Sequence, residues 1–552
     1  MKKRLLTIIG VVLMAAALFT VIHFIRSDLY IAEFDADNAE TVMWARAVLE
    51  SGKLLDPDYR YYNMLLPISG NLFFIPFVKA FGVGITALRA GYPVLAVIFA
   101  ALLVLALRAC LPSWNLAMIG CGLIMILTTA TESLRDIIWA HTVYYGLSVF
   151  CILMCIGSLG LCLRGKRILG GILFFISALF GSINGSVVML YTVLPLAAAL
   201  FLESLNREYP GEGFMKVPIL LLGAAVVCGV VLNKGLTSGI QTPYADYYSQ
   251  LSTASQWLKN LRLLPGQWLS LFLDLPEESV PVMSSVGIKL VLRLGTALVL
   301  SVLPFFSFFV LWDTESRLTR IVILYHWVLC AVLMFFFVFG VISDINRRLI
   351  PLWFSCLIVG WLTMVWMLKE KVHTYIHTYI QFVGAASTCL LVLFAGMTAV
   401  SVVRKPADLA TWYGNDSVYH VLETHGLTHG YSTDYWYANS ITVLSESRIN
   451  VLCVKVTEAG FEIGDFQNKG SWYKETPKDE TTFLICPEWE VNWTPWMKED
   501  IVEKTVEVLH ATQYLPDQPY GFFILVFDHD IIAEKLQENE PIVGIDAQVS
   551  EK

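Results

Sequence analysis

The chain has 552 residues, 56% of them hydrophobic and only 15% charged, against roughly a quarter charged in soluble domains. Its 38 basic and 46 acidic residues leave a formal charge of -8, so no basic face dominates. These figures exclude an ordinary soluble enzyme, a disordered regulator and a nucleic-acid-binding protein. Many segments approach the about 20 apolar residues that a helix needs to cross a hydrocarbon core, and the chain is read as a polytopic α-helical membrane protein.

Met1-Lys2-Lys3-Arg4 precedes an apolar run to about Ile25. The run exceeds a signal-peptide core and lacks a small-x-small cleavage site. It is therefore read as an uncleaved first span with its basic end in the cytoplasm. Residues 26–87 carry many charges and form a first external loop. Within it, Asn38 to Leu49 and Leu66 to Phe81 are expected as amphipathic helices on the membrane surface, the second broken by Pro67, Gly70 and Pro76. Further spans are expected at about 88–108, 114–131, 143–163, 168–183, 186–203, 217–234, 286–312, 320–342, 350–368 and 378–402, about eleven in all. Residues 235–285 are a second long external loop containing Tyr244, Tyr247, Tyr248, Trp257 and Trp268. Arg108, Arg164, Lys166, Arg167, Arg317, Arg320, Lys369 and Lys371 fall in expected cytoplasmic loops, as the positive-inside rule asks. Arg347 and Arg348 fall on the other side, a placement that points to another task such as holding an anion.

The composition changes after residue 402. Residues 403–552 are more polar, with strand-like runs at 449–455, 482–486 and 522–527 and helical stretches at 416–425, 436–446 and 498–511. This is expected to be an extracytoplasmic α/β domain after a membrane part spanning 1–402. Nine of the eleven cysteines sit in or beside apolar runs, where cysteine acts as a small hydrophobe. Cys453 and Cys486 lie in the polar region, as a bridge or as two free thiols.

Charge placement carries the functional signal. Phe34-Asp35-Ala36-Asp37-Asn38-Ala39-Glu40 puts carboxylates just past the first span. A low-dielectric setting would raise such a carboxylate toward a useful base, whereas the plainer role for Asp37 is to cap the helix that follows. Glu132-Ser133-Leu134-Arg135-Asp136, with His141, Tyr144 and Tyr145 after it, lies on the same expected face. It is either a second polar centre or a solvated turn with interfacial aromatics. Asp344-Ile345-Asn346-Arg347-Arg348-Leu349-Ile350-Pro351 sets two arginines at the outer mouth of a span, suited to a phosphate or to snorkelling.

The layout of one helix, an acidic loop with surface helices, a bundle of spans and an external domain resembles the C-type (GT-C) glycosyltransferases that use polyprenyl-phosphate sugars. Nearest in pattern are the aminoarabinose–lipid A transferases and the protein O-mannosyltransferase relatives. The resemblance is carried by Asp37-Asn38-Ala39-Glu40-Thr41, Arg46-Ala47-Val48-Leu49-Glu50-Ser51-Gly52, Leu66-Pro67, Phe81-Gly82, Ala87-Leu88-Arg89-Ala90-Gly91 and Arg347/Arg348 before Pro351. It departs at Asn38, where many relatives have Glu, at Tyr62-Asn63-Met64-Leu65-Leu66-Pro67, and at Asn184-Gly185, where lysines are common.

The resemblance implies an integral membrane glycosyltransferase that moves a sugar from a polyprenyl-phosphate donor in the bilayer to an extracytoplasmic acceptor, with inversion. Asp37 would be the base, Glu40 a second-choice base one turn away, and Asp136 an orienting carboxylate. Arg347 and Arg348 would hold the phosphate. Asp35, Asn63, His141, Tyr144 and Tyr247 complete the expected substrate-binding set. No cofactor is required; a hard divalent cation would suit the carboxylates. A transporter or lipid flippase is a rival from another class, although no inverted repeat is visible and His326 is the best mid-depth ionisable residue. A non-catalytic scaffold with an external binding domain is the other.

Overall fold

The computed structural model describes residues 2–61, 65–206, 212–240, 250–274, 276, 279–340, 345–369, 375–458, 460–474, 480–494, 496–513 and 520–539. The chain is a helical membrane bundle followed by a sheet-containing C-terminal region. Among the described residues nine helices are long and apolar enough to cross a membrane, or ten with the bent pair Trp114–Leu127 and Glu132–Trp139 taken as one span. The sequence reading expected about eleven. All eleven segments are helical, but two are short. Trp114–Leu127 has 14 residues, about 21 Å at the α-helical rise, and the chain then turns by 113°. At the turn, Thr128 and Thr129 donate their hydroxyls to the carbonyls of Met125 and Ile126, which offers the backbone an alternative to the helical ladder. Arg167–Ile183 has 17 residues, about 26 Å long.

Burial orders the bundle. Asn346–Met367 has 94% of its most apolar stretch buried, whereas Lys216–Thr237 has 17%. The first is the axis of the bundle and the second lies at its margin.

The first loop departs from its expected form. Its helix Ala36–Ser51 is buried continuously from Ala36 to Ala45 and so is not an amphipathic surface helix. The membrane bundle covers one side, and the C-terminal region covers the side that the sequence reading left to solvent. The second loop helix is, as the proline and glycine breaks predict, a short 3-10 turn, Gly70–Phe74, running into Ile75–Phe81.

The strands in chain order are β1 (Tyr59–Arg60), β2 (His429–Ser432), β3 (Asn450–Thr457), β4 (Gly460–Ile463), β5 (Asn468–Lys469), β6 (Thr482–Pro487), β7 (Glu507–Gln513) and β8 (Tyr520–Phe527). Six form one sheet in the order β4-β3-β2-β6-β8-β7. Strands β2/β3 and β2/β6 pair in parallel, with helix Tyr435–Leu444 connecting β2 to β3, and the remaining pairs are antiparallel. The helix expected over 498–511 ends early. After two short turns the chain becomes β7, because Val508 to Ala511 extend the ladder of β8 from Leu525 to Phe522. Cys453 and Cys486 are free and buried. They lie on β3 and β6, with β2 between them, so about two strand spacings separate them, beyond the reach of a disulfide.

The sheet region is bolted to the first loop. Strand β1 pairs with β5, Trp472 Nε1 donates to Glu50 at 2.7 Å, and Arg46 lies 4.2 Å over the Trp472 ring. Helix Ile85–Cys110 has no side-chain cap of its own at Gly84. Glu446 supplies one from the C-terminal region, accepting from Thr86 N at 2.9 Å and Thr86 Oγ1 at 2.7 Å.

Candidate active site

The site forms where the first loop, the bent helix of the third span (Trp114–Leu127 with Glu132–Trp139, the third helix of the bundle) and the turn before the axial helix meet. Asp35 caps helix Ala36–Ser51 through a reciprocal box: Asn38 N donates to Asp35 Oδ1 and Asp35 N donates to Asn38 Oδ1, both at 3.0 Å. Asp35, expected at the substrate, is thus engaged in the cap, and the capping role considered for Asp37 belongs to its neighbour. Asp37, two positions into the helix, turns its carboxylate to the site. The free amide end of Asn38 donates to Asp136 Oδ1 at 2.7 Å.

Asp136 reaches this point because the chain bends after Leu127. Helix Glu132–Trp139 is held by a buried ion pair from Arg135 to Glu33, with Nε to Oε2 at 2.7 Å, and Arg135 Nη1 donates to the Thr129 carbonyl at 3.0 Å. Arg347 bridges the two aspartates: Nη2 lies 2.8 Å from Asp136 Oδ2 and Nη1 lies 3.8 Å from Asp37 Oδ2. Asn346 anchors its turn by donating to Ser133 Oγ at 3.0 Å and Ser270 Oγ at 2.9 Å. Ser270, the C-cap of helix Ala254–Leu269, is the second loop's contribution.

His141 and Glu40 form a buried pair with Nε2 to Oε2 at 2.8 Å. Burial alone would lower the imidazole, but the hydrogen bond and charge of Glu40 outweigh it, and His141 is raised to about 9. Asp37 is raised above the usual carboxylate range, chiefly by burial and also by Asp136 and Glu40, while His141 and Arg347 oppose the rise. Asp35 is pushed up to about 8, first by burial and then by Asp136 and Asp37. These carboxylates therefore hold protons more tightly than exposed ones.

Arg348, next in sequence, faces another space. It lines a cavity of about 530 Å³ walled by Leu65, Leu66, Leu190, Leu333, Phe336 and Phe337, with Tyr145, Asn184 and Asn233 as polar points. Two adjacent arginines thus border two compartments, one carboxylate-rich and one apolar.

Of the residues singled out in the sequence, Asp37, Glu40, Asp136, His141 and Arg347 come together, and Arg348 lies at the neighbouring cavity. Tyr144 does not join them: it packs against the small cluster of Leu66, Val143, Leu147 and Val188. Its neighbour Tyr145 lines the cavity instead. Asn63 and Tyr247 lie outside the described residues. Among the described residues no group of three or more His, Cys, Asp or Glu side chains is disposed to hold a metal ion.

Three participants escaped the sequence reading. Asn38 had a signal, since Asp-x-x-Asn is a capping-box spacing. Asn346 had none beyond its place before the arginine pair. Tyr435, whose hydroxyl lies 3.3 Å from Asp37 Oδ1 across 398 residues of chain, stands in an aromatic run, Tyr435-Trp436-Tyr437, that reads as domain core or a sugar-stacking surface and carries no signal of this partner.

No protein-family model and no curated protein matches the chain. Its structure is similar to two crystal structures of ArnT from Cupriavidus metallidurans. The apo state covers 94% of this chain and 97% of that one, at 10% identity and a TM-score of 0.49. The state bound to undecaprenyl phosphate covers 93% and 97%, at 10% identity and a TM-score of 0.42.

Proposed function

We propose that this protein is a membrane glycosyltransferase that takes a sugar from a polyprenyl-phosphate donor and passes it to an acceptor hydroxyl on the extracytoplasmic side. One observation carries the reading: consecutive arginines on one turn serve a buried carboxylate cluster and an apolar cavity between spans. A donor with a phosphate between a hydrocarbon chain and a sugar has the same order of parts. The cavity is bordered by Asn233 and Thr237 of the marginal helix Lys216–Thr237, a route for a lipid chain.

In this mechanism the chain occupies the cavity and the phosphate sits at Arg348 and Arg347. The Arg347 side chain is 33% exposed and so within reach of an incoming anion. Asp37 accepts the proton of the acceptor hydroxyl as its oxygen attacks the anomeric carbon. The bond from that carbon to the phosphate oxygen breaks, and polyprenyl phosphate leaves with the electron pair, its charge met by the guanidinium groups. Attack opposite the leaving group inverts the anomeric centre. Asp136 holds Arg347 in place. Glu40, already paired with His141, is the weaker candidate for the base, and the pair tunes Asp37 instead.

The test is release of polyprenyl phosphate from polyprenyl-phosphate sugars by the purified, reconstituted protein. Asp37→Asn is expected to lower release by about 10²–10⁴-fold while the variant still inserts and keeps its melting temperature. Sugar-independent movement of the lipid across the vesicle, with no release, would replace this reading by a flippase.

A further inference from the structure

We propose that Tyr435, on the C-terminal sheet region, is a positioning residue that directs a hydroxyl proton onto Asp37 and so ties the candidate base to the docking of that region. The inference rests on Asp37 as the base of the proposed transfer.

The direction of the proton follows from a chain of amides. Asn439 Nδ2 donates to Gln467 Oε1 at 3.0 Å and also approaches the Gln467 carbonyl at 3.3 Å. With Oε1 accepting, the other end of the Gln467 amide must donate, and Nε2 lies 2.5 Å from the Tyr435 hydroxyl. That oxygen is thereby an acceptor toward Gln467, and its O–H donates to Asp37 Oδ1 at 3.3 Å. Three residues in series fix the polarity of the last bond.

The arrangement is held under strain. Gln467 is fully buried and has φ +54, the left-handed region that disfavours side chains larger than glycine. Its N–H donates to the Arg60 carbonyl at 2.8 Å, beside the pairing of β1 with β5. Such a conformation persists only where the surroundings over-determine it. Here those surroundings are the first loop itself, so the relay is complete only when the sheet region is seated on the membrane part.

Asp37 also faces Asp35 and Glu40 on its own segment, Asp136 and His141 on the third-helix side, and Arg347 from the turn before the axial helix. A hydroxyl donor favours the carboxylate over the acid. Removing it should therefore shift the protonation of Asp37 toward higher pH while those five groups stay in place.

The experiment is an infrared pH titration of the full-length protein in detergent, following the carboxyl band that disappears in Asp37→Asn. In Tyr435→Phe the midpoint should rise by about half to one pH unit. Gln467→Met keeps the tyrosine but removes what orients it, and should move the midpoint in the same direction by less. A merely structural tyrosine would change the melting temperature and leave the midpoint alone, and an unmoved midpoint in both variants overturns the proposal. The readout needs no turnover. If the wild type releases no polyprenyl phosphate while the midpoint still shifts, the transfer reading fails and the coupling stands. If release is seen and the midpoint is unmoved, the coupling fails alone.

Discussion

Replacing Glu40 with Gln tests the electrostatic heart of the site. Both members of the His141–Glu40 pair have about 4% of their side chains exposed, so solvent screens them little. Raising an imidazole from its ordinary 6.5 to about 9 corresponds to about 3 kcal/mol of preference for the charged form. The folded-state value lies above the unfolded one. The stabilisation is therefore complete below pH 6.5 and is lost as pH rises through about 9. In Glu40→Gln the two largest upward influences on His141 are gone and only the smaller ones of Asp37 and Asp136 oppose burial, so the imidazole shifts toward its neutral form and most of the stabilisation is absent. Unfolding entropy of about 2.1 cal/mol/K per residue over 552 residues turns about 3 kcal/mol into about 3 °C. Melting followed by tryptophan fluorescence should show the wild type about 3 °C above Glu40→Gln at pH 6. By pH 10 the gap should close, because the wild type then holds an unpaired buried carboxylate. An equal gap at both pH values would refute the assignment of a charged pair. Loss of the imidazolium also removes the largest charge that holds Asp37 down, which outweighs the smaller upward push lost with Glu40 itself, so the acid limb of any transfer activity should move to higher pH in the same variant.

Arg348→Met should weaken donor use by about 10–100-fold in kcat/KM, the size of a lost charge-assisted hydrogen bond, and the loss should appear in KM for the donor while the midpoint of the Asp37 titration is unchanged. Gly84→Ala should weaken the seating of the sheet region, because a Cβ there meets Glu446 Oε2 and displaces the cap that this carboxylate supplies to Thr86. A loss of about 1–2 kcal/mol is the cost of a missing helix cap, read by chemical denaturation. Glu446→Ala should cost the same, and the double variant no more than either.

What the sequence made legible is what is local. Apolar runs located the eleven expected spanning segments, all of them helical, because spanning is a property of about 20 consecutive residues. Alternation located β3, β6 and β8. The capping pattern of Asp35 and Asn38 was also within reach, and reading it would have freed Asp37 from the capping role. The short third helix was not legible, since Thr128 to Thr131 carry no proline or glycine and bend the chain through hydroxyl bonds to its own backbone. The burial of Ala36–Ser51 was hidden as well. Its covering surface comes from Trp472, Tyr435 and their neighbours, more than 380 residues later, and no periodicity within the helix records a partner on its polar side. Lys469 illustrates the same limit: it reads as a solvated charge, yet it sits 3.4 Å from Asp56 and 3.5 Å from Glu50 across the junction.

The divergence of Arg347 and Arg348 has a simple geometric cause. Residues Asn346–Leu349 form a 3-10 turn, in which three residues complete one revolution, so consecutive side chains leave the axis about 120° apart. One guanidinium can therefore face the aspartates while the next faces the cavity, and no loop insertion between them is needed. The phase of the turn decides which arginine faces which compartment. That phase is pinned from both sides, since Asn346 donates to Ser133, one helical turn before Ile137 on the segment that carries Asp136, and to Ser270 at the end of the second-loop helix. Ile350 and Pro351 then begin the axial helix within the same contact, and Pro351 at its first turn is pre-set for helical φ. The arginine pair is thus indexed to the most buried helix of the bundle and to the strand of chain bearing Asp136 at once. A phosphate drawn between the two guanidinium groups would meet a pre-oriented fork, with the carboxylate cluster on one side and the apolar cavity on the other.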